Sequence, residues 1–312
     1  MEKKPKILVV GSINIDLVLE TDRVPKAGES FLGNEYSWVP GGKGANQAVA
    51  AARAGAEAVF AGRVGRDENG RHLAAGVLEA GVSDRFLTVD TERPTGMAVI
   101  MVEADGENRI IVFAGANLSL TTADVDRAVA EGGPWDALLL SFEISEEVIT
   151  YTVARSVREG IPIYVDAGPA REAADLNTLK GAAVISPNRG ELEILTGRNC
   201  STDAGLEDAA RYLRERTGAE AVVVKLGGEG ALLSAGGRAE MFPAYSVRAV
   251  DTTAAGDAFT AGLAVRLVAG EEYADAVRYG CAAGALAATR AGAQPSLPLE
   301  DEVGAFLRER GE

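Results

Sequence analysis

Histidine and cysteine are almost missing from this chain: its 312 residues include one histidine, His72, and two cysteines, Cys200 and Cys281. A zinc site built on imidazoles, or a Ser/His/Asp triad, would rest on His72 alone. That residue lies in the polar-flanked run Gly70, Arg71, His72, Leu73, which reads as a solvated helix face. The cysteines form no C-x-x-C pair, so neither a metal knuckle nor a disulfide framework is expected. Positive charge is also short, with 31 Lys plus Arg against 46 Asp plus Glu and a net charge of -15. Nucleic acid and membrane surfaces are therefore not expected partners, because binding them relies on clustered Lys and Arg. The apolar run Ile7 to Val10 stops at Gly11, too short for a signal peptide or a span, and a reduced cytoplasm is the expected location.

With 47% hydrophobic and 25% charged residues, the chain can bury a sizeable core. No repeat or low-complexity tract divides it, and one continuous unit over 1–312 is expected. Short Val/Ile-rich runs alternate with Ala- and Leu-rich segments of helical period. The runs are Ile7 to Val10, Ala137 to Leu140, Ile161 to Val165, Ala183 to Ile185 and Ala221 to Val224. Unbroken apolarity marks strands covered on both faces, so the pattern predicts a doubly wound α/β fold with a mainly parallel sheet flanked by helices.

Two stretches instead predict antiparallel pieces. Met97 to Glu103 and Arg109 to Phe113 flank a hairpin-like loop, Ala104 to Asn108, and Ile15 to Glu20 pairs with Ser30 to Trp38 through Pro25 and Gly28. They predict a small β-sheet drawn from about 14–40 and 95–114. Pattern alone leaves open whether it is a lid or a pair of covering hairpins. Gly230 to Ala235 and Ala239 to Tyr245 read as an antiparallel extension of the main sheet.

Two glycine-rich segments could carry chemistry, since ligands of α/β proteins gather at the carboxyl ends of strands. In Gly41, Gly42, Lys43, Gly44, Ala45, Asn46, the residue after Lys43 is Gly44, so this is no Walker loop. Gln47 stands where a dinucleotide fingerprint needs its third glycine. What remains is backbone that can approach a ligand closely, one cation and one amide, opening a helix over 45–54. The second segment, Asp251 to Phe259, precedes a helical pattern running to about Val268. The amides of Ala254, Ala255 and Gly256 would lie at its amino terminus and offer a site for anionic oxygens. Asp257 falls in the first turn, where a carboxylate caps a helix. A carboxylate beside an anion hole also suits phosphoryl transfer to an alcohol. Residue types alone leave both roles open.

The segments Gly11 to Asp16, Gly41 to Ala48, Asp251 to Asp257 and Thr289 to Ser296, in this order and spacing, resemble the ribokinase and phosphofructokinase B family of sugar kinases. Ser186-Pro187-Asn188-Arg189-Gly190-Glu191 is similar to the family's Asn-x-x-Glu element. The resemblance implies a ribokinase-like α/β core with a β-lid that also forms a homodimer interface. It implies transfer of the ATP γ-phosphoryl group to the 5-hydroxyl of D-ribose, with another small sugar or a nucleoside as the alternative acceptor. A non-catalytic sugar-sensing or structural protein is the alternative of a different class.

On the family pattern, Asn14, Asp16, Gly42, Lys43, Asn46 and Glu143 would grip the sugar. Asp257 would be the general base and would touch both substrates, and Ala254, Ala255 and Gly256 would form the anion hole. ATP would meet Asn188, the run Lys225, Leu226, Gly227, Gly228, Glu229, Gly230, and also Gly256 and Cys281. Asn188 and Glu191 would stand near Mg²⁺. A monovalent cation, K⁺, would sit among Asp251, Thr253, Ala287, Arg290, Gly292 and Ser296. The chain departs from the pattern at Ala254, where many members have glycine, and at Asp166-Ala167-Gly168-Pro169, which replaces an Asn-Pro-Ala-Pro sequence.

Overall fold

The computed structural model describes residues 4–103, 108–172 and 175–311. Strand β1 (Lys6–Val10) is followed by β2 (Asn14–Glu20), β3 (Glu35–Gly41), α1 (Lys43–Arg53), β4 (Glu57–Gly65), α2 (Glu68–Glu79) and β5 (Ser83–Asp90). Then come β6 (Gly96–Val102), β7 (Asn108–Phe113), α3 (Thr122–Gly132), β8 (Ala137–Ser141), α4 (Glu146–Glu159), β9 (Ile163–Asp166) and β10 (Val184–Ser186). The chain ends with α5 (Arg189–Thr196), α6 (Asp203–Thr217), β11 (Ala221–Lys225), β12 (Ala231–Ala235), β13 (Arg238–Phe242), α7 (Ala255–Val268), α8 (Tyr273–Ala287) and α9 (Glu300–Arg308).

Among the described residues, the main sheet has nine strands in the order β13-β12-β11-β10-β9-β8-β1-β4-β5. Every neighbouring pair is parallel except β11/β12 and β12/β13. Side chains alternate between two apolar layers, as the period of a strand requires. Ile7 and Val9 of β1 face the layer that holds residues of α1, α7 and α8, while Leu8 and Val10 face residues of α3, α4 and α6. Ala137 and Leu139 of β8 likewise face the first layer, and Leu138 and Leu140 the second. The continuous apolar runs are thus strands covered on both faces. A separate four-stranded sheet, β3-β2-β6-β7, joins β2 and β6 in parallel and the other two pairs antiparallel.

Several boundaries differ from the sequence pattern. The third expected run begins at Ile163, because Pro162 has no N–H to give the ladder. Strand β3 begins at Glu35, where the Glu20/Glu35 pair opens the ladder, and not at Ser30. Strands β4 and β5 were not among the expected runs; glycines and Arg63 interrupt β4. Of the expected hairpin loop, 104–107 lie outside the described residues. His72 is exposed on α2, as the polar flanks predict. No helix among the described residues is long and apolar enough to cross a membrane.

Candidate active site

The parallel strands β1, β8, β9, β10 and β11 end on one rim of the main sheet, and the amino ends of α1 and α7 meet them there. Two glycines allow this. Gly42 has φ 88°, and a Cβ on Gly44 would stand 2.6 Å from the Gly11 carbonyl carbon, so α1 can seat its first turn on the end of β1 only without side chains.

Asn14, Asp16, Lys43, Asn46, Glu143 and Asp257 converge on this rim. Asp257 is buried and accepts from Asn46 Nδ2 and Gln47 Nε2, both at 3.0 Å, with the Lys43 ammonium 3.8 Å away. Glu143 accepts from the Ser12 hydroxyl and from the Lys43 amide at 3.2 Å. Asn14 Oδ1 accepts from Asn117 Nδ2 at 2.7 Å, and Asn117 Oδ1 in turn accepts from the Ile13 amide at 2.9 Å. Three buried oxygens on this side have no donor among the described residues: Asp16 Oδ1, Asn46 Oδ1 and Gln47 Oε1. A buried acceptor left empty costs on the order of 1–3 kcal/mol. The hydroxyl groups of a polyol are donors of the kind that such acceptors take.

The electrostatics of this side follow from burial and crowding. Burial, then the nearby Glu143 and Asp257 carboxylates, push Asp16 up to about 7. Burial also raises Glu143, opposed by the Ser12 hydrogen bond and the Lys43 charge. For Lys43, burial disfavours the ammonium, but Asp166, Asp257, Glu191 and Glu143 outweigh it and hold its pKa above the ordinary value.

Next to this cluster opens a cavity of about 600 Å³, of a size that takes a small ligand. Lys43, Asn188, Glu191, Lys225, Gly227, Gly228, Gly230, Gly256 and Cys281 all line it, as does Ala255. Leu226, Glu229 and Asp257 do not: Leu226 is buried, Glu229 pairs at the surface with Arg189 at 2.7 Å, and Asp257 is buried against Asn46 and Gln47. Residues that the sequence did not single out complete the wall, among them Tyr245, Ser246 and Val247 after β13 and Gly284, Ala285 and Ala288 of α8 and its end. Of the three amides at the start of α7, Ala255 N–H donates to the Thr252 carbonyl at 3.2 Å, whereas those of Ala254 and Gly256 make no such turn bond. Ala254 is the only non-glycine residue with positive φ among the described residues, at 61°.

The candidate cation residues divide in two. Asn188 and Glu191 form the capping box of α5: Glu191 N–H donates to Asn188 Oδ1 at 2.8 Å, and Asn188 N–H to Glu191 Oε2 at 2.7 Å. No group of three or more His, Cys, Asp or Glu that could hold a metal occurs among the described residues. A divalent ion would therefore draw most of its ligands from water and phosphate, which fits Mg²⁺. The second set is brought together by Asp251, which accepts from the Thr253 amide and from the Gly292 amide, each at 2.8 Å, and so ties two loops. Ser296 is buried and donates to the Ala293 carbonyl at 2.7 Å, fixing the second loop. Arg290 points its guanidinium to Glu302. The groups left to a bound ion are one carboxylate and uncharged oxygens, a hard donor set that suits K⁺.

Three residues of the rim were missed by sequence reasoning. Gln47 registered as an absent glycine and within the family-like run Gly41 to Ala48 but was given no role, and Asn117 lies 103 residues from its partner Asn14. Asp166 registered only as a departure from a family motif, yet it is fully buried at the end of β9 with Lys225 at 2.7 Å.

The model of the pfkB family carbohydrate kinases matches residues 4–300. A ribokinase of Bacillus subtilis is 36% identical over 302 residues, covering 96% of this chain and 99% of that protein. A ribokinase of Haemophilus influenzae is 34% identical over 301 residues, covering 96% and 98%. Among solved structures, Arabidopsis thaliana ribokinase complexed with ribose and ATP superposes with a TM-score of 0.90 at 31% identity, covering 98% of this chain and 99% of that one. With a buried carboxylate at a helix amino end inside a polar cluster, and with matches over nearly its whole length, the chain belongs to the pfkB family of carbohydrate kinases.

Proposed function

We infer that this protein is a ribokinase, transferring the γ-phosphoryl group of ATP to the 5-hydroxyl of D-ribose. The observation that carries this is the position of Asp257. It stands at the first turn of α7, held by Asn46 and Gln47 of the polar cluster and next in the chain to Gly256, which lines the 600 Å³ cavity. Asn14, Asp16, the Gly42 backbone, Lys43, Asn46 and Glu143 would hold the sugar, with adjacent hydroxyls donating to the carboxylates and accepting from the amides. Such a site rejects acceptors that lack a hydroxyl, because its buried polar groups would stay unpaired.

In the transfer, the 5-hydroxyl oxygen attacks the γ-phosphorus as the bond to the β–γ bridging oxygen breaks. Asp257 takes the hydroxyl proton, and ADP departs. The Ala254 and Gly256 amides, joined by Ala255 once its turn bond opens, would face the charge spread over the equatorial oxygens. Asn188, Lys225, Gly227, Gly228 and Gly230 would flank the phosphates, and Cys281 would pack beside the base. Asn188 and Glu191 would hold Mg²⁺ through water, and the ion when bound neutralises phosphate charge. Asp251, Thr253, Ala287, Arg290, Gly292 and Ser296 would hold K⁺, several through carbonyls, which when bound adds positive charge behind the α7 amino end.

The small sheet would act as the lid over the sugar. Its far face carries Trp38 and Ile111, in register through Leu17 and Val99, and Tyr36 two residues before Trp38 on β3, each of the three at least half exposed. An apolar face of this kind supports a homodimer through the lid. A soluble cytoplasmic enzyme fits the supply of ATP. Asp257→Asn keeps the size of the side chain and removes the base. It is expected to bind ribose with little change while turnover falls by about 10² to 10⁴, measured by ADP formation and by ribose calorimetry. Turnover near that of the parent would remove Asp257 from the mechanism.

A further inference from the structure

Asp166 is the one buried carboxylate of the rim to which the transfer above gives no task. It is fully buried and collects five donors from four parts of the chain. On Oδ2 it accepts from Lys225 Nζ at 2.7 Å, Gln47 Nε2 at 3.2 Å and Thr260 Oγ1 at 3.3 Å. On Oδ1 it meets the Gly168 amide at 3.0 Å and Lys43 Nζ at 3.5 Å. Burial raises its pKa, but the Lys225 and Lys43 charges and the Lys225 and Gly168 hydrogen bonds outweigh burial and hold it below the ordinary carboxylate value.

The two lysines come from different elements, Lys43 from α1 and Lys225 from β11. Lys43 lies beside Glu143 and Asp257, on the sugar side. Lys225 reaches the amino end of α7: a Cβ on Gly256 would lie 3.7 Å from its Cδ and 3.9 Å from its Nζ. Both lysines line the large cavity. Asp166 also competes for the Lys43 ammonium with Asp257, at 3.5 Å against 3.8 Å. Through Gln47, whose Nε2 bridges Asp166 Oδ2 and Asp257 Oδ1, it orients the base as well. A buried ion pair is a weak source of stability, because desolvation offsets most of the attraction. Placing charge where a reaction develops charge is the better use of one.

We propose that Asp166 is a positioning residue for phosphoryl transfer, anchoring Lys225 so that its ammonium meets the transferring phosphoryl group while Lys43 is kept from closing on Asp257. Lys225 is then a catalytic residue; it neither gains nor loses a proton, and it stabilises the equatorial oxygens as the bond to ADP breaks. This rests on the kinase reading above.

The test is a double-substitution cycle on the full-length enzyme with saturating MgATP, using whichever sugar the parent turns over. Asp166→Asn and Lys225→Met are each expected to lower kcat about 10²-fold, with the sugar KM changed less than about threefold. The double variant is expected to be no slower than the slower single one, since Lys225 acts only when anchored. Lys225→Arg, which keeps charge and reach, is expected to stay within about tenfold of the parent. Single losses that multiply in the double variant, or an Asp166→Asn enzyme with parental kcat, would overturn the proposal. If circular dichroism finds Asp166→Asn unfolded, the Lys225 variants decide, and parental kcat in Lys225→Met, or equal losses in Met and Arg, overturns it. A parent inactive on every sugar would instead overturn the kinase reading and this proposal with it.

Discussion

Asp16 is held in a state that costs the folded protein stability, and its exchange for asparagine measures that cost. Burial and the Glu143 and Asp257 charges raise its pKa from the ordinary 3.8 to about 7. Below pH 3.8 the carboxyl is protonated in both the folded and the unfolded chain, and no penalty arises. Between 3.8 and 7 the unfolded chain releases the proton while the folded one keeps it, so stability falls with rising pH. Above 7 the penalty is complete, at roughly 4 kcal/mol for a pKa raised by about three, since each pH unit is worth about 1.36 kcal/mol. The neutral amide of an asparagine in this place would carry no such penalty. Asp16→Asn should therefore be more stable than the parent by a margin that grows roughly 2 to 3 kcal/mol between about pH 5 and pH 8, while its sugar binding weakens. Urea unfolding of both proteins at the two pH values, without sugar, reads the margin. A margin that does not change with pH, or one that shrinks from the lower pH to the higher, would refute the reasoning.

Ala254→Gly removes a side chain from a left-handed backbone, φ 61°. After the added freedom of the unfolded chain is subtracted, it should stabilise by about 0.5–1 kcal/mol with activity kept; thermal unfolding checks this. Replacing K⁺ by tetramethylammonium should lower kcat about tenfold or more, because the site tied by Asp251 and Ser296 cannot admit so large an ion; stopped-time ADP assays across salts would detect it. Trp38→Glu combined with Ile111→Glu places charge on the outer face of the small sheet. By sedimentation, the variant should weigh half as much as the parent.

The parts of this molecule that were legible in the sequence are those whose signal is local. β1, β8 and β11 announce themselves by unbroken apolar runs, since each residue faces one of two packed layers. The amino end of α7 is legible because an acidic first turn after a glycine-containing run is itself a local pattern. β4 was hidden by its own glycines and by Arg63, whose charge is met by Asp124 at 2.8 Å from another element. Asn117 and Asp166 were unreadable for the same reason. Their partners lie 103 and 59 residues away, and only the closed sheet brings them within reach. At the cavity wall the pattern predicts strand as far as Tyr245, but the ladder ends at Phe242 and frees Tyr245 to line the pocket with Ser246 and Val247.

The most direct test of function is turnover of ATP with a panel of acceptors: D-ribose, 2-deoxy-D-ribose, fructose, fructose 6-phosphate and adenosine, with phosphorus NMR of each product. Ribokinase activity predicts the highest kcat/KM for D-ribose and a single product phosphorylated at the 5-hydroxyl. A higher kcat/KM for another acceptor, or a phosphate on the 1-hydroxyl, would contradict it.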